Sequence, residues 1–251
     1  MGIGEAVARL FAEAGATVVL SSRDSGRVEA ARARIGHLQQ TLALACDVRN
    51  REEIDRLLGL TLHNFGRIDF WINNAGHGLR DSVAAMDMAA CREMFETNLF
   101  GALNGMQAAL AAMVGQGFGT IVNIASVAGH IPLPFGAAYS GTKFALIALG
   151  KAARLELRGT GVHVVTVSPG FVATNFSKNL VRGRSHLQLD SPVHGIDPGK
   201  VARAVLQGCL KHKREVVVPA YYRSFIALYR LCPWLVELAM TKMAKPMRAS
   251  L

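Results

Sequence analysis

Thr120-Ile121-Val122-Asn123-Ile124-Ala125-Ser126 and, a short connection later, Tyr139-Ser140-Gly141-Thr142-Lys143 decide how this chain reads. The first stretch is a short apolar, β-branched run that ends in a hydroxyl, the pattern of a buried strand. The second opens a helical pattern over 137–159, where residues four apart share one face. The Tyr139 phenol and the Lys143 ammonium therefore project into the same space. A nearby cation favours the phenolate, so the spacing predicts a tyrosine pKa lowered towards a useful acid/base range. Ser126 can hydrogen-bond a substrate oxygen while Tyr139 exchanges the proton. That combination interconverts a carbonyl and an alcohol when a hydride carrier lies alongside.

Working outward, apolar runs recur at Thr17–Leu20, Leu42–Cys46, Ile68–Ile72, Val162–Val167 and Glu215–Val218. Helical stretches separate them at about 3–14, 25–35, 50–64, 88–116 and 197–211. Short strands alternating with helices of ten or more residues predict parallel βαβ units covered on both faces. The expected fold is α/β, a Rossmann-type doubly wound parallel sheet. No repeat, low-complexity run or long linker divides it. Residues 1–219 read as one cofactor-binding and catalytic domain, with 220–251 as a basic amphipathic extension packed on it.

The motifs come in a telling order: Gly2-Ile3-Gly4, Asp47 after an apolar run, Asn73-Asn74-Ala75-Gly76, Asn98, Ser126, Tyr139-x-x-x-Lys143 and Ser168-Pro169-Gly170. Together they resemble the short-chain dehydrogenase/reductase family in its ordinary branch, from residue 1 to about 219. The resemblance implies a central strand ahead of the glycine turn, of which only the last two glycines, Gly2 and Gly4, are present. That strand belongs between the runs at 17–20 and 68–72. Met1 is accordingly expected to be an internal methionine of a protein beginning some ten residues earlier.

The resemblance also implies roles. Gly2, Ile3 and Gly4 would set backbone N–H groups and a helix N-terminus against the cofactor pyrophosphate. Ser22 occupies the place where NAD-preferring members carry an acid, and Arg23 follows it. A guanidinium suits a 2′-phosphate, so NADP(H) is favoured over NAD(H), with Asp24 one residue too late for the ribose. Asp47, with Val48 beside it, would read the adenine. Asn74, Ala75 and Gly76 would line the adenosine side, Asn74 also tying strands together. Pro169 and Gly170 would form a rigid turn, with Val172 and Thr174 reaching the carboxamide or phosphate. Tyr139 would be the proton carrier, Ser126 the oxyanion partner, and Lys143 a ribose ligand. Asn98 would interrupt its helix and hold a water linked to the lysine. The tyrosine–lysine spacing disfavours C=C reduction, and the length leaves little room for an epimerase's larger substrate domain.

The substrate wall is expected from Ile131–Phe135, Phe171 and a variable stretch from Phe176 to Gly195. Leu133, Phe135, Phe171 and Phe176 point to an apolar carbonyl compound, with Arg182 and Arg184 in a lid. His130, His186 and His194 read as surface or hydrogen-bonded residues, and no metal is needed. The four cysteines (Cys46, Cys91, Cys209, Cys232) show no metal spacing and suit a reducing, cytoplasmic setting.

The net charge is +10, and residues 200–251 hold ten Lys/Arg against Glu215 and Glu237. No nucleic-acid motif accompanies this charge, so nucleic-acid binding is not expected. Residues 221–248 predict two short amphipathic helices, with Trp234, Leu235, Leu238 and Met240 on an apolar side. They are assigned first to packing on the fold or to a homodimer or homotetramer interface, and second to peripheral contact with an anionic membrane. Three functions follow: a carbonyl reductase, a scaffold that keeps the fold without turnover, or a peripheral membrane enzyme of lipid metabolism.

Overall fold

The computed structural model describes residues 2–176, 180–182 and 195–248. Met1 and most of the variable stretch, including Arg184, His186 and His194, lie outside the described residues. The chain begins with α1 (Ile3–Glu13), β1 (Val18–Ser22), α2 (Ser25–Ile35), β2 (Thr41–Ala45), α3 (Arg51–Phe65) and β3 (Phe70–Asn73). A short β4 (Leu79–Arg80) precedes α4 (Met88–Phe95), a π-helical turn (Glu96–Phe100), α5 (Gly101–Gln116) and β5 (Gly119–Ile124). Then come a 3-10 turn (Val127–Gly129), α6 (Ala137–Glu156), β6 (Val162–Pro169) and β7 (Val181–Arg182). The last elements are α7 (Pro198–Leu210), β8 (Glu215–Val218), α8 (Tyr222–Leu231) and α9 (Pro233–Arg248).

Local chemistry places these boundaries. The Asp24, Asn50 and Asp87 side chains accept backbone N–H groups at the starts of α2, α3 and α4. Gly66 ends α3 with φ at 72°, a left-handed conformation that costs a glycine little. Pro233 stops α8 and becomes the first residue of α9, where its missing N–H is harmless.

All the paired strands run parallel. β3, β5, β6 and β8 form one ladder in the order β3-β5-β6-β8, and β1 pairs with β2 in another. β5 is buried along its whole length, as a strand covered on both faces must be. Its side chains alternate: Val122 and Ile124 join Val165, Val167 and the α1–α7 layer, while Ile121 joins Val164 and the α5 layer. The β4–β7 pair was not foreseen, because each strand is only two residues long.

The two main ladders share cores without sharing hydrogen bonds. Val18 and Phe70 pack in one cluster, and Val19 and Trp71 in another, so both faces continue from β1 to β3. No described hydrogen bond joins the two strands. This seam lies where the sequence placed its absent central strand. All four residues of β3 are only partly buried, in contrast to β5.

Candidate active site

The 3-10 turn after β5 and the first two turns of α6 bring the chemistry together. Ser126 leaves β5 in an extended conformation and its hydroxyl accepts the Ala128 N–H at 3.1 Å, capping the turn. The same hydroxyl donates to the Pro169 carbonyl at 3.5 Å and lies near enough to the Tyr139 phenol to lower its pKa. Lys143, one helical turn beyond, is buried; its Nζ donates to the Ile124 carbonyl at 3.0 Å and lies 5.7 Å from the Tyr139 ring centroid. Phe176 also leans on the tyrosine, with ring centroids 5.6 Å apart.

Burial governs both titrations. It pushes the Tyr139 phenol up to about 12, against a smaller lowering from the Ser126 hydrogen bond, and brings Lys143 down to about 8. The expectation that Lys143 lowers the tyrosine pKa is therefore corrected. The ammonium is turned towards the Ile124 carbonyl, and the cost of desolvating a phenolate outweighs its attraction.

Asn98 sits in the middle of the π turn, as the expected helix interruption. Its Oδ1 accepts the His77 N–H at 2.9 Å, while Nδ2 donates to the His77 carbonyl at 2.8 Å and to Thr142 Oγ1 at 3.3 Å. Thr142 Oγ1 in turn donates to the Tyr139 carbonyl at 2.7 Å. The amide thus clamps the loop after Gly76 to α6. Gly76 leaves room for this closeness, since an added Cβ would stand 3.0 Å from Asn98 Oδ1 and the amide would have to shift. Thr142, Ser140 and His77 were missed in the sequence. Ser140 accepts the Leu133 N–H at 3.0 Å and so fixes the expected substrate wall to α6. Their only signal was a place on the inner face of the Tyr139–Lys143 turn, or next to the glycine.

The residues assigned to a cofactor fall into two groups around this centre. Gly2 caps α1 with no side chain, leaving first-turn N–H groups of Ile3 and its neighbours open to an anion. Gly4 packs on Asn74, whose Nδ2 would stand 2.6 Å from an added Cβ. Asn74, Ala75 and Gly76 are exposed just past β3. The strand-tying amide pair is formed one residue earlier, where Asn73 Nδ2 donates to Asn123 Oδ1 at 2.9 Å.

At the far end, Ser22 Oγ is bonded to the Asp24 backbone, and the Asp24 carboxylate caps α2 through Arg27 N at 2.8 Å. Asp47 is held by Arg49, with Nη2 to Oδ2 at 2.6 Å; hydrogen bonding to Arg49 keeps its carboxyl below the usual range. Glu93 Oε1 then joins Arg49 at 3.3 Å and Arg23 at 3.9 Å. Val48 packs against Gly101, and its carbonyl accepts Asn104 Nδ2 at 3.1 Å.

Pro169 ends β6 opposite Val218 and so stands in the strand rather than in the expected turn; past it, Gly170 lies under Tyr222, Val172 bridges to Ile196, and the Thr174 hydroxyl accepts the Phe176 N–H at 3.1 Å. His130 is buried and pins β6 to β8, with Nε2 at 3.1 Å from Ser168 Oγ and 2.9 Å from Glu215 Oε1.

The family model described as short chain dehydrogenase matches residues 1–185. The chain belongs to the short-chain dehydrogenase/reductase family. It is an NAD(P)-dependent oxidoreductase. Dehydrogenase/reductase SDR family member 7B of Danio rerio is 33% identical over 227 residues, covering 86% of this chain and 74% of that protein. A short-chain dehydrogenase from Streptomyces avermitilis superposes with a TM-score of 0.80 at 26% identity, over 100% of this chain and 95% of its own. A short-chain dehydrogenase/reductase from Burkholderia phymatum, solved with NAD, gives 0.84 at 22% identity over 93% and 91% of the two chains. In this family setting the open α1 N-terminus, the exposed Asn74–Gly76 edge and a buried lysine with one described acceptor fit a pyridine dinucleotide.

Proposed function

We propose that this oxidoreductase interconverts a carbonyl and a secondary alcohol on an apolar substrate, with NADP(H) preferred. The observation that supports this reading is that Tyr139 and Lys143 share one face of α6, with Ser126 beside the phenol, Asn98 bonded to the intervening Thr142, and apolar Phe176 against the tyrosine. When bound, the nicotinamide group supplies or accepts the hydride. Ser126 holds the substrate oxygen and stabilises negative charge developing there. Tyr139 gives its phenolic proton to that oxygen in reduction and recovers it in oxidation. Lys143 has donor hydrogens beyond its Ile124 bond for the ribose hydroxyls, and its charge then lies beside the forming phenolate. The Asn98 side chain is committed to His77 and Thr142, so any water relay uses the backbone of the π turn.

The NADP(H) preference rests on Arg23 and on the absence of a free carboxylate at the end of β1. Asp24, the nearest acid, is occupied in capping α2. Gly2, Ile3 and Gly4 would face the pyrophosphate; Asp47, Val48, Asn74, Ala75 and Gly76 the adenosine; Pro169, Gly170, Val172 and Thr174 the nicotinamide end. Exposed Val114, Phe144 and Leu155 on α5 and α6 support a homodimer or homotetramer built on those helices. The test is turnover of a panel of apolar ketones with NADPH and NADH. Faster reduction with NADPH supports the reading, and reduction with NADH alone would reverse the cofactor assignment.

A further inference from the structure

The tail forms two helices that are fastened to the fold by one stripe each. On α8 the stripe is Tyr222, Ile226 and Tyr229, which pack with Ile131 and Val217. On α9 it is Val236, Met240 and Ala244. Met240 therefore points inward, away from the apolar side expected from the sequence, because the four-residue spacing from Val236 to Ala244 is what meets the fold.

The outward faces are apolar too. Phe225, Leu228, Leu231, Trp234, Leu235 and Leu238 are all exposed, Leu231 by 81%, Trp234 by 64% and Leu238 by 54%. Such a concentration of large apolar groups on one surface marks an interaction site. Exposed Arg223, Arg230 and Lys242 accompany them, and none of the three is ion-paired among the described residues. Arg230 is near enough to Glu215 only to help lower its pKa, the smallest of several causes. The one acid of residues 221–248, Glu237, already accepts the Tyr229 hydroxyl at 3.5 Å.

We propose that the outward face of α8 and α9 seats the protein on an anionic bilayer surface. An apolar face with a tryptophan and unpaired cations matches acyl chains below and negative headgroups above. A second copy of this chain matches it less well. A two-fold contact through this face would bring the cations of both copies together with Glu237, the one acid of residues 221–248, already bonded to Tyr229. No described helix is long and apolar enough to cross a membrane, so the contact is peripheral.

Co-sedimentation of the full chain with vesicles of phosphatidylcholine, with and without phosphatidylglycerol, tests the proposal. Binding is expected to need phosphatidylglycerol and to weaken at high salt. The double variant Trp234→Ser/Leu238→Ser should lose at least about tenfold in vesicle affinity, and Lys242→Glu about as much, with melting temperature unchanged. Three results would each overturn the proposal. The cooperatively folded chain ignores both vesicle types, the variants bind as well as the parent, or light scattering shows the same substitutions splitting an oligomer instead.

Discussion

Lys143 places its Nζ 5.7 Å from the centre of the Tyr139 ring while bonding the Ile124 carbonyl, so the two residues are neighbours but not hydrogen-bond partners. Tyr139→Phe should lower turnover by about a thousandfold, the scale of a positioned acid/base group. Dinucleotide binding, followed by fluorescence, should remain nearly unchanged, because the phenol serves the reacting oxygen. Undiminished carbonyl reduction would remove Tyr139 from the mechanism.

Lys143 carries a stability cost that function retains. Its pKa falls from 10.5 to about 8 on folding, so the unfolded chain binds more protons between those values and stability rises with pH across that window. Below pH 8 the penalty is fully present. Lys143→Met should therefore raise the neutral-pH stability by about 1–3 kcal/mol while abolishing activity. Denaturant unfolding at pH 7 and at pH 10 checks both the sign and its decline across the window.

Asn98 and Thr142 should be coupled. Asn98→Ala leaves both backbone groups of His77 without their partner and should destabilise by about 1–3 kcal/mol. Thr142→Val removes the second bond of the clamp. If the two act as one unit, their effects on stability will sum to more than the double variant shows.

His163 stacks on His212 with ring centroids 3.8 Å apart. Burial, and then the charge of His212, lowers the His163 pKa below its ordinary 6.5. The neutral ring is the one the fold accepts, so stability is complete above pH 6.5 and falls as pH drops through the folded value. In His163→Asn the fall should be shallower. An equal slope in the variant would place the acid sensitivity elsewhere.

The seam between β1 and β3 should show in hydrogen exchange. Amides of these strands that point into it lack the ladder partners that protect β5 and β6, and should exchange faster. Uniform protection across β1, β3, β5 and β6 would overturn this expectation.

Much of this protein was legible along the chain, and the reason is periodicity. A strand buried on both faces, such as β5, must be apolar throughout, and a helix carrying Tyr139 and Lys143 on one face must space them by four. Those constraints are local, so Tyr139 and Lys143 could be paired by spacing and Ser126 placed at a strand end, while the interruption at Asn98 followed from the family resemblance. Other features needed residues distant in sequence to meet. The amide of Asn98 reaches His77 and Thr142, Glu93 joins Arg49 to Arg23, and His130 finds Glu215, none of which leaves a periodic trace. The same holds for the tyrosine pKa, because desolvation depends on everything packed around the phenol and overrode the cation that spacing suggested. It holds again for Met240, turned inward by the register of α9 on the fold. Sequence alone marked the candidate residues; only the tertiary structure decided their partners, the direction in which burial shifts their pKa values and which face of the tail meets solvent, because burial is a property of the whole packed chain.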